Sequence, residues 1–372
     1  MSKFEIPYVD LGRQYSDLRE ELLEAQDRVY RSGRVLDGDQ VSKFQQAMAL
    51  RCQRKYAVAV NSGTQALIFA LLSTAHHGRG VLLPSLSFIA SANAVHMARQ
   101  EIMFADVDTR GLIDLNNISW HPGSNNIRTL MYVNLYGHMV DPDAIDVYNQ
   151  FWAGDQPLTV IEDAAQSFGA SWNGRPSGSF GDVSCLSFDP MKNLPNYGSG
   201  GMLLTDDYHL FRSFMDLRDN GKHNQHSSPG TNSKISESDC AAMLVKLSYF
   251  DQWQERRQEI ADYYTANLEN HVQVPDVDPR CQHSWHKYVI RTEFADRDDL
   301  RDSLAQQGVE CRVHYYQPMS SEDLYYDHDM SRWEQAMDIC NTAISLPIYP
   351  ELTDTEVERV VESVLAHYER KR

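Results

Sequence analysis

Seven short apolar runs, each bounded by a turn and most of them followed by a helical pattern, constrain this chain more than any other feature. They are Tyr56–Asn61, Gly80–Pro84, Glu101–Asp108, Thr129–Gly137, Leu158–Asp163, Val183–Phe188 and Gly201–Thr205. Strands without polar alternation are buried on both faces, and helical segments between them supply crossovers. The pattern therefore predicts an α/β unit with a mostly parallel sheet covered by helices on both sides. In such a sheet ligands sit beyond the carboxyl ends of the strands. Gly63, Tyr136, Asp163 and Ser187 all fall at or just after strand ends, so one crevice could hold them.

Before the first strand, Leu18, Leu22, Ala25 and Val29 repeat at helical spacing over 15–33, with Gly33 at the stop. A second helical pattern ends near Lys55. After the sheet, a helical stretch from Ser236 to about Asn270 leads into an α+β rhythm. That part comprises a strand at 286–292, a helix around Leu300 and Leu304, a strand at 310–316, and a last helix opened by a Thr353/Glu356 capping box. The expected division is a large unit over 1–250 and a smaller C-terminal α+β unit over 251–372, in keeping with a chain of 372 residues. The polar segment 221–233 reads as a long loop.

A net charge of −18 excludes the basic surface that nucleic acid requires. Six scattered cysteines without a CxxC spacing predict reduced thiols. The opening MSKFEIPYVDLGRQ lacks a signal-type apolar run, and no stretch approaches the ~20 apolar residues of a membrane span, so a cytoplasmic location is expected.

The candidate chemistry centres on 184–201, SCLSFDPMKNLPNYGSGG. A strand breaks at Asp189-Pro190, presents Lys192, and closes in a glycine-rich turn. A lysine so held is a candidate amine nucleophile if burial lowers its pKa; alone, it reads as a solvated loop residue. Ser62-Gly63-Thr64, between a strand and an apolar helix, reads first as a plain helix cap and second as an anion site at a helix N-terminus. Asp163 alone could be a cap, Ser187 a strand residue and Phe88 core packing. Together, a lysine amine, a carboxylate and a phosphate cradle are what pyridoxal 5′-phosphate requires. His223-x-x-His226 and His283-x-x-His286 lack a third ligand and predict no metal site. The GSGG at 198–201 lacks the Lys-Ser/Thr of a Walker loop and reads as a turn.

Ordered motifs then run along nearly the whole chain: FEIPYVDL (4–11), NSGTQAL (61–67), PSLSFIASANAV (84–95), FADVD (104–108), NLYGH (134–138), EDAAQSFGA (162–170), GSFGDVSCLSFDPMKNL (178–194), GTNS (230–233), VHYYQP (313–318) and LPIYPELTDTEV (346–357). In these the chain resembles the DegT/DnrJ/EryC/StrS family of sugar aminotransferases, of the aspartate-aminotransferase-like fold (fold type I). The resemblance implies Lys192 as the amine that joins the cofactor aldehyde, Asp163 at the pyridinium nitrogen and Gln166 near the ring hydroxyl. It implies Gly63, Thr64 and Ser187 at the phosphate and Phe88 on the ring face. It implies Asn232 at the phosphate of a neighbouring subunit, hence a homodimer with a shared active site, and Lys234, His314 and Tyr315 near the substrate. Asp189 and Met191 stand where the family has histidine and threonine, and Lys234 where many members have arginine. The implied activity is transfer of an amino group from L-glutamate, leaving 2-oxoglutarate, to a nucleotide-linked keto-sugar, with a lean to C3. A lyase or dehydratase on the same fold, or a silent cofactor-binding regulator, are the alternatives; a lysine at 192 speaks against the dehydrating branch, which has histidine there.

Overall fold

The computed structural model describes all residues except 1–3, 75–78, 117, 119–126, 153–156, 294–295 and 372. A seven-stranded sheet forms its centre. The strands are β1 (Tyr56–Val60), β2 (Gly80–Pro84), β3 (Glu101–Ala105), β4 (Ile127–Val133), β5 (Thr159–Asp163), then β8 (Val183–Ser187) and β9 (Gly201–Thr205), in the order β1-β9-β8-β5-β4-β2-β3. Short β6 (Ser171–Trp172) and β7 (Arg175–Pro176) form a separate small sheet with β10 (Cys281–Gln282). The sheet is mostly parallel: β3, β2, β4, β5 and β8 run together, while β9 pairs antiparallel with both β8 and β1.

Alternation explains why these strands read as continuous apolar runs. Val58 and Val60 of β1 enter the core on one face, with Val183 and Cys185 of β8. Ala57 and Ala59 enter the core on the other face, with Leu186, Met202 and Leu204. β1, β8 and β9 thus feed two cores, and the buried positions on them cannot be polar without a partner.

The helix Glu237–Leu268 connects the second core to a third. Phe250 and Trp253 pack beside the sheet, whereas Ile260, Tyr264 and Leu268 pack in the C-terminal cluster with Leu300, Leu304, Ile344 and Val360. The expected division at 250/251 falls within this helix. Ser236 caps its start through the Asp239 N–H, and Thr353 and Glu356 form the reciprocal box that opens the last helix, Asp354–Glu369.

The tail differs from expectation at one strand. Tyr288–Arg291 is β11, but its partner is β12, Ala343–Leu346, not 310–316. Residues 310–316 make a single ladder bridge, Arg312 to Ser345, and are otherwise irregular. The backbone turns away because His314 and Tyr315, just after that bridge, leave the sheet to line a cleft at the central sheet's edge. All six cysteines are free. No helix among the described residues is long and apolar enough to cross a membrane.

Candidate active site

The carboxyl ends of β1, β5 and β8 meet at one cleft of about 280 Å³. Two glycines make the meeting possible. β9 starts at Gly201, wedged between the ends of β1 and β8; a Cβ there would lie 2.3 Å from the Ser62 carbonyl oxygen. A Cβ on Gly63 would lie 2.7 Å from the Ser187 Cβ. Only hydrogen fits at either place, so the helix Gly63–Ser73 starts directly against the end of β8.

That helix opens with Ser62, whose Oγ accepts from the Gln65 N–H at 3.1 Å, while the Ser62 carbonyl accepts from the Ala66 N–H at 3.1 Å. The N–H groups of Gly63 and Thr64 have no acceptor within the helix. The plain-cap reading of SGT and the anion-site reading are therefore compatible. Ser62, Gly63, Thr64 and Ser187 all line the cleft.

Asp163 ends β5 and is buried. Its carboxylate accepts from Ser91 Oγ at 2.8 Å and from the Ala165 N–H at 3.1 Å. Burial pushes its pKa up; those two donors and the Lys192 amine pull it back. Its neighbour Glu162, also buried, serves a structural purpose. It accepts from Asn134, Ser177 and Ser184 side chains and from the N–H groups of Gly178 and Phe180.

Lys192 sits in a turn made by Asp189. The Asp189 carboxylate accepts from the Met191 N–H at 3.1 Å and its carbonyl from the Lys192 N–H at 2.9 Å. Aspartate at 189 thus shapes the turn that presents the lysine. Burial lowers the Lys192 pKa, opposed by Asp163 and Asp189. Asn193 anchors the far side by donating to the Ser284 carbonyl at 2.6 Å.

Gln166 donates to the Tyr315 hydroxyl at 3.1 Å and accepts from the Tyr136 N–H at 3.3 Å. The Phe88 ring is 54% exposed although it forms a wall of the cleft, with Tyr315 beyond it at 6.4 Å between centroids. His314 bonds Ser345 Oγ through Nδ1 at 2.9 Å, and burial pushes its pKa down to about 2.

The cleft thus brings together Gly63, Thr64, Phe88, Asp163, Gln166, Ser187, Lys192, His314 and Tyr315. Two expected residues are elsewhere on the chain. Asn232 is exposed and pairs with Asp219 in a short bridge, and the Lys234 amine holds Asp219 at 2.5 Å. Neither lines this cleft. Tyr136 lines an adjoining cavity and meets the cleft through Gln166, the Lys287 N–H, from which its carbonyl accepts, and the His314 carbonyl, to which its hydroxyl donates. His283 and His286 are buried, His223 and His226 exposed. Among the described residues no three ligating side chains gather around a metal position.

Residues 16–365 match the DegT/DnrJ/EryC1/StrS aminotransferase family. The chain belongs to that family. This aminotransferase is 34% identical to the dTDP-3-amino-3,6-dideoxy-alpha-D-galactopyranose transaminase of Aneurinibacillus thermoaerophilus, over 96% of this chain and 98% of that protein. It is 32% identical to the pleiotropic regulatory protein of Geobacillus stearothermophilus, over 98% of both. Its fold superposes on the crystal structure of S. venezuelae DesV with a TM-score of 0.91, at 31% identity and 99% coverage of each chain.

The cofactor of this aminotransferase is pyridoxal 5′-phosphate. The cleft fits it in three independent respects. An aromatic face is left uncovered in the wall, a buried carboxylate and an amine share the interior, and a helix N-terminus with adjacent hydroxyls offers a place for phosphate. Sequence reasoning missed Ser91, Lys287 and Arg312, which also line the cleft, and noted His286 only for its spacing. The first lies inside a motif read as a whole. The others come from the tail, whose approach to the sheet no local pattern announces.

Proposed function

We propose that this aminotransferase moves the amino group of L-glutamate onto a nucleotide-linked keto-sugar. The observation that carries the reading is the enclosure of Lys192 and Asp163 in one cleft with the bare ring of Phe88. When bound, the cofactor supplies an aldehyde for the amino group and a ring that accepts electrons from the reacting carbon.

The protein's residues then have distinct tasks. Thr64 and Ser187 hydroxyls and the first N–H groups of the helix hold the phosphate. Phe88 would offer its ring to the face of the cofactor. Asp163, itself oriented by Ser91, keeps the ring nitrogen protonated. Lys192 would hold the proton that moves between the reacting carbons, first as base and then as acid. Gln166 and Tyr315 orient the ring hydroxyl, and His314 lies on the substrate side. Asn232 reaches the phosphate in a second subunit, so the working unit is a homodimer; Lys234 follows it towards the same site.

The lean towards C3 is supported by the activities for which relatives are named. Besides the Aneurinibacillus transaminase, they include a dTDP-3-amino-3,4,6-trideoxy-alpha-D-glucose transaminase at 33% identity. A UDP-N-acetyl-3-dehydro-alpha-D-glucosamine 3-aminotransferase is 29% identical. A UDP-2-acetamido-2-deoxy-3-oxo-D-glucuronate aminotransferase, named for an acidic sugar, is 27% identical. The test is glutamate-dependent amination of UDP-, dTDP- and GDP-linked 3-keto and 4-keto sugars, read as release of 2-oxoglutarate. One 3-keto sugar should turn over well above the rest. Release of 2-oxoglutarate with none of these sugars accepted would overturn the sugar assignment. No release at all would favour a non-catalytic regulator.

A further inference from the structure

Lys287 shares the cleft with Lys192 and lacks a counter-ion. Its side chain is buried, its Nζ lies 3.2 Å from His286 Nε2, and among the described residues no carboxylate comes within ion-pair range of it. The other deeply buried free amine, that of Lys246, provides the contrast. Lys246 donates to the Pro195 carbonyl at 2.8 Å and lies over the Tyr197 ring at 3.3 Å, so it is satisfied as a structural residue. Lys287 has only an imidazole nitrogen. Lys287 also borders the adjoining cavity, whereas His286, the group its amine meets, lines the cleft and not that cavity. The amine is therefore on the cleft side.

A second cation stands nearby. Arg312 lines the same cleft, partly exposed and lying over the Tyr8 ring, with Nε and Nη2 both directed to one oxygen of Glu310. Burial lowers the Lys287 pKa, and the charges of Lys192 and Arg312 lower it further. Among the residues that line the cleft the carboxylates are Asp163 and Asp189, and Glu310, beside the cleft, holds the Arg312 guanidinium. Asp163 is committed to Ser91 and Ala165, and Asp189 to its turn. A buried amine kept without a counter-ion in a ligand cavity is a receptor awaiting one.

We propose that Lys287, with Arg312, binds a carboxylate carried by the small reacting substrate. The reading rests on the cleft being the transamination site. A carboxylate suits a single enclosed amine that takes up a proton as the anion enters, with one guanidinium beside it. A nucleotide diphosphate does not: the anion must sit in the same enclosed space as Lys192, where the reacting carbon belongs. The carboxylate has two sources to be distinguished, the amino-acid donor and an acidic keto-sugar.

The experiment compares the cofactor-loaded wild type with Lys287→Met and Lys287→Gln. Calorimetric titration with glutarate, a dicarboxylate that cannot react, should show at least about tenfold weaker binding in both variants, the loss expected for one charge-assisted contact. Affinity for thymidine or uridine diphosphate should not change. Half-reactions then identify the source. If the donor supplies the carboxylate, the glutamate half-reaction needs at least about tenfold more glutamate, and sugar preference stays fixed. If the sugar supplies it, the variants lose discrimination between a nucleotide-linked 3-keto sugar with a C6 carboxylate and its hydroxymethyl counterpart, and glutamate is unaffected. Wild-type binding of glutarate, glutamate and acidic sugar by both variants would overturn the proposal, as would a loss confined to the nucleotide. The glutarate titration needs no turnover, so it stands or falls separately from the sugar screen. Both variants remove an uncompensated buried amine and should melt no lower than wild type.

Discussion

A lysine attacks an aldehyde only through its uncharged amine, and burial shifts the balance towards that form at position 192. Desolvation is the largest influence on its pKa, with Asp163 and Asp189 opposing it. The same two charges keep the amine from losing its affinity for protons altogether, which a residue that must both take and return a proton requires. Lys192→Ala should abolish covalent attachment of the cofactor and cut turnover by at least about 10³-fold, within the range for loss of a general base. Asp163→Asn keeps the shape and the Ser91 contact but removes the charge. It should retain the cofactor and lower turnover by about 10²-fold, as loss of one preorganised electrostatic partner does. Absorbance of the bound cofactor and 2-oxoglutarate release check both; wild-type turnover in Lys192→Ala would remove the mechanism. These two residues were legible because Asp163 ends β5 and Lys192 lies in the turn that follows the end of β8, and strand ends show in the sequence. Lys287 was not. Its neighbours Tyr288 and Ile290 are the visible signal of β11, and whether a lysine beside them faces solvent or a cleft depends on how the tail packs.

Among the elements, the helix Asp39–Arg51 shows how far local reading reaches. Its periodicity is plain, yet Gly38, at its N-cap, has no side chain to close the free N–H groups. Glu237 closes them. Its carboxylate accepts from the N–H groups of Gly38 at 2.8 Å, Gln40 at 2.8 Å and Val41 at 2.9 Å, while itself opening the long helix Glu237–Leu268. Glycine at 38 is required, since a Cβ there would lie 2.7 Å from a Glu237 oxygen. One buried carboxylate thus joins two helix starts from opposite ends of the large unit, and no window of sequence contains both. Glu237→Ala leaves two buried donors and one half-buried donor without their acceptor and should lower unfolding stability by about 3 kcal/mol. Urea denaturation with an unchanged slope and a lower midpoint would show it. A change below about 0.5 kcal/mol, the size of an ordinary surface substitution, would mean water replaces the carboxylate at no cost. The misread strand at 310–316 has a similar origin: its alternating residues suit a strand, but its pairing with β12 stops after the single exchange between Arg312 and Ser345.

At the scale of the molecule, the cleft is complete except where the expected phosphate contact from Asn232 should be. Asn232 is exposed on the segment beyond Asp219, away from its own cleft, which is the arrangement a shared site would need. A symmetric pair would exchange these segments, each subunit completing the other. The consequence can be tested without a structure of the dimer. Asn232→Ala should weaken cofactor retention by about tenfold to a hundredfold, the loss of one hydrogen bond to a charged group, and Lys192→Ala should be inactive. Refolded together in equal amounts, half the dimers are hybrids. In a hybrid, the subunit that keeps Lys192 receives Asn232 from its partner, so one site is intact and the other carries both defects. At limiting cofactor, activity should recover to about a quarter of wild type if the segments cross between subunits. If Asn232 serves its own subunit, every hybrid site retains at least one defect and mixing restores nothing. A strictly monomeric protein at working concentration, with Asn232→Ala still losing cofactor, would require the segment 219–233 to fold back over its own cleft instead.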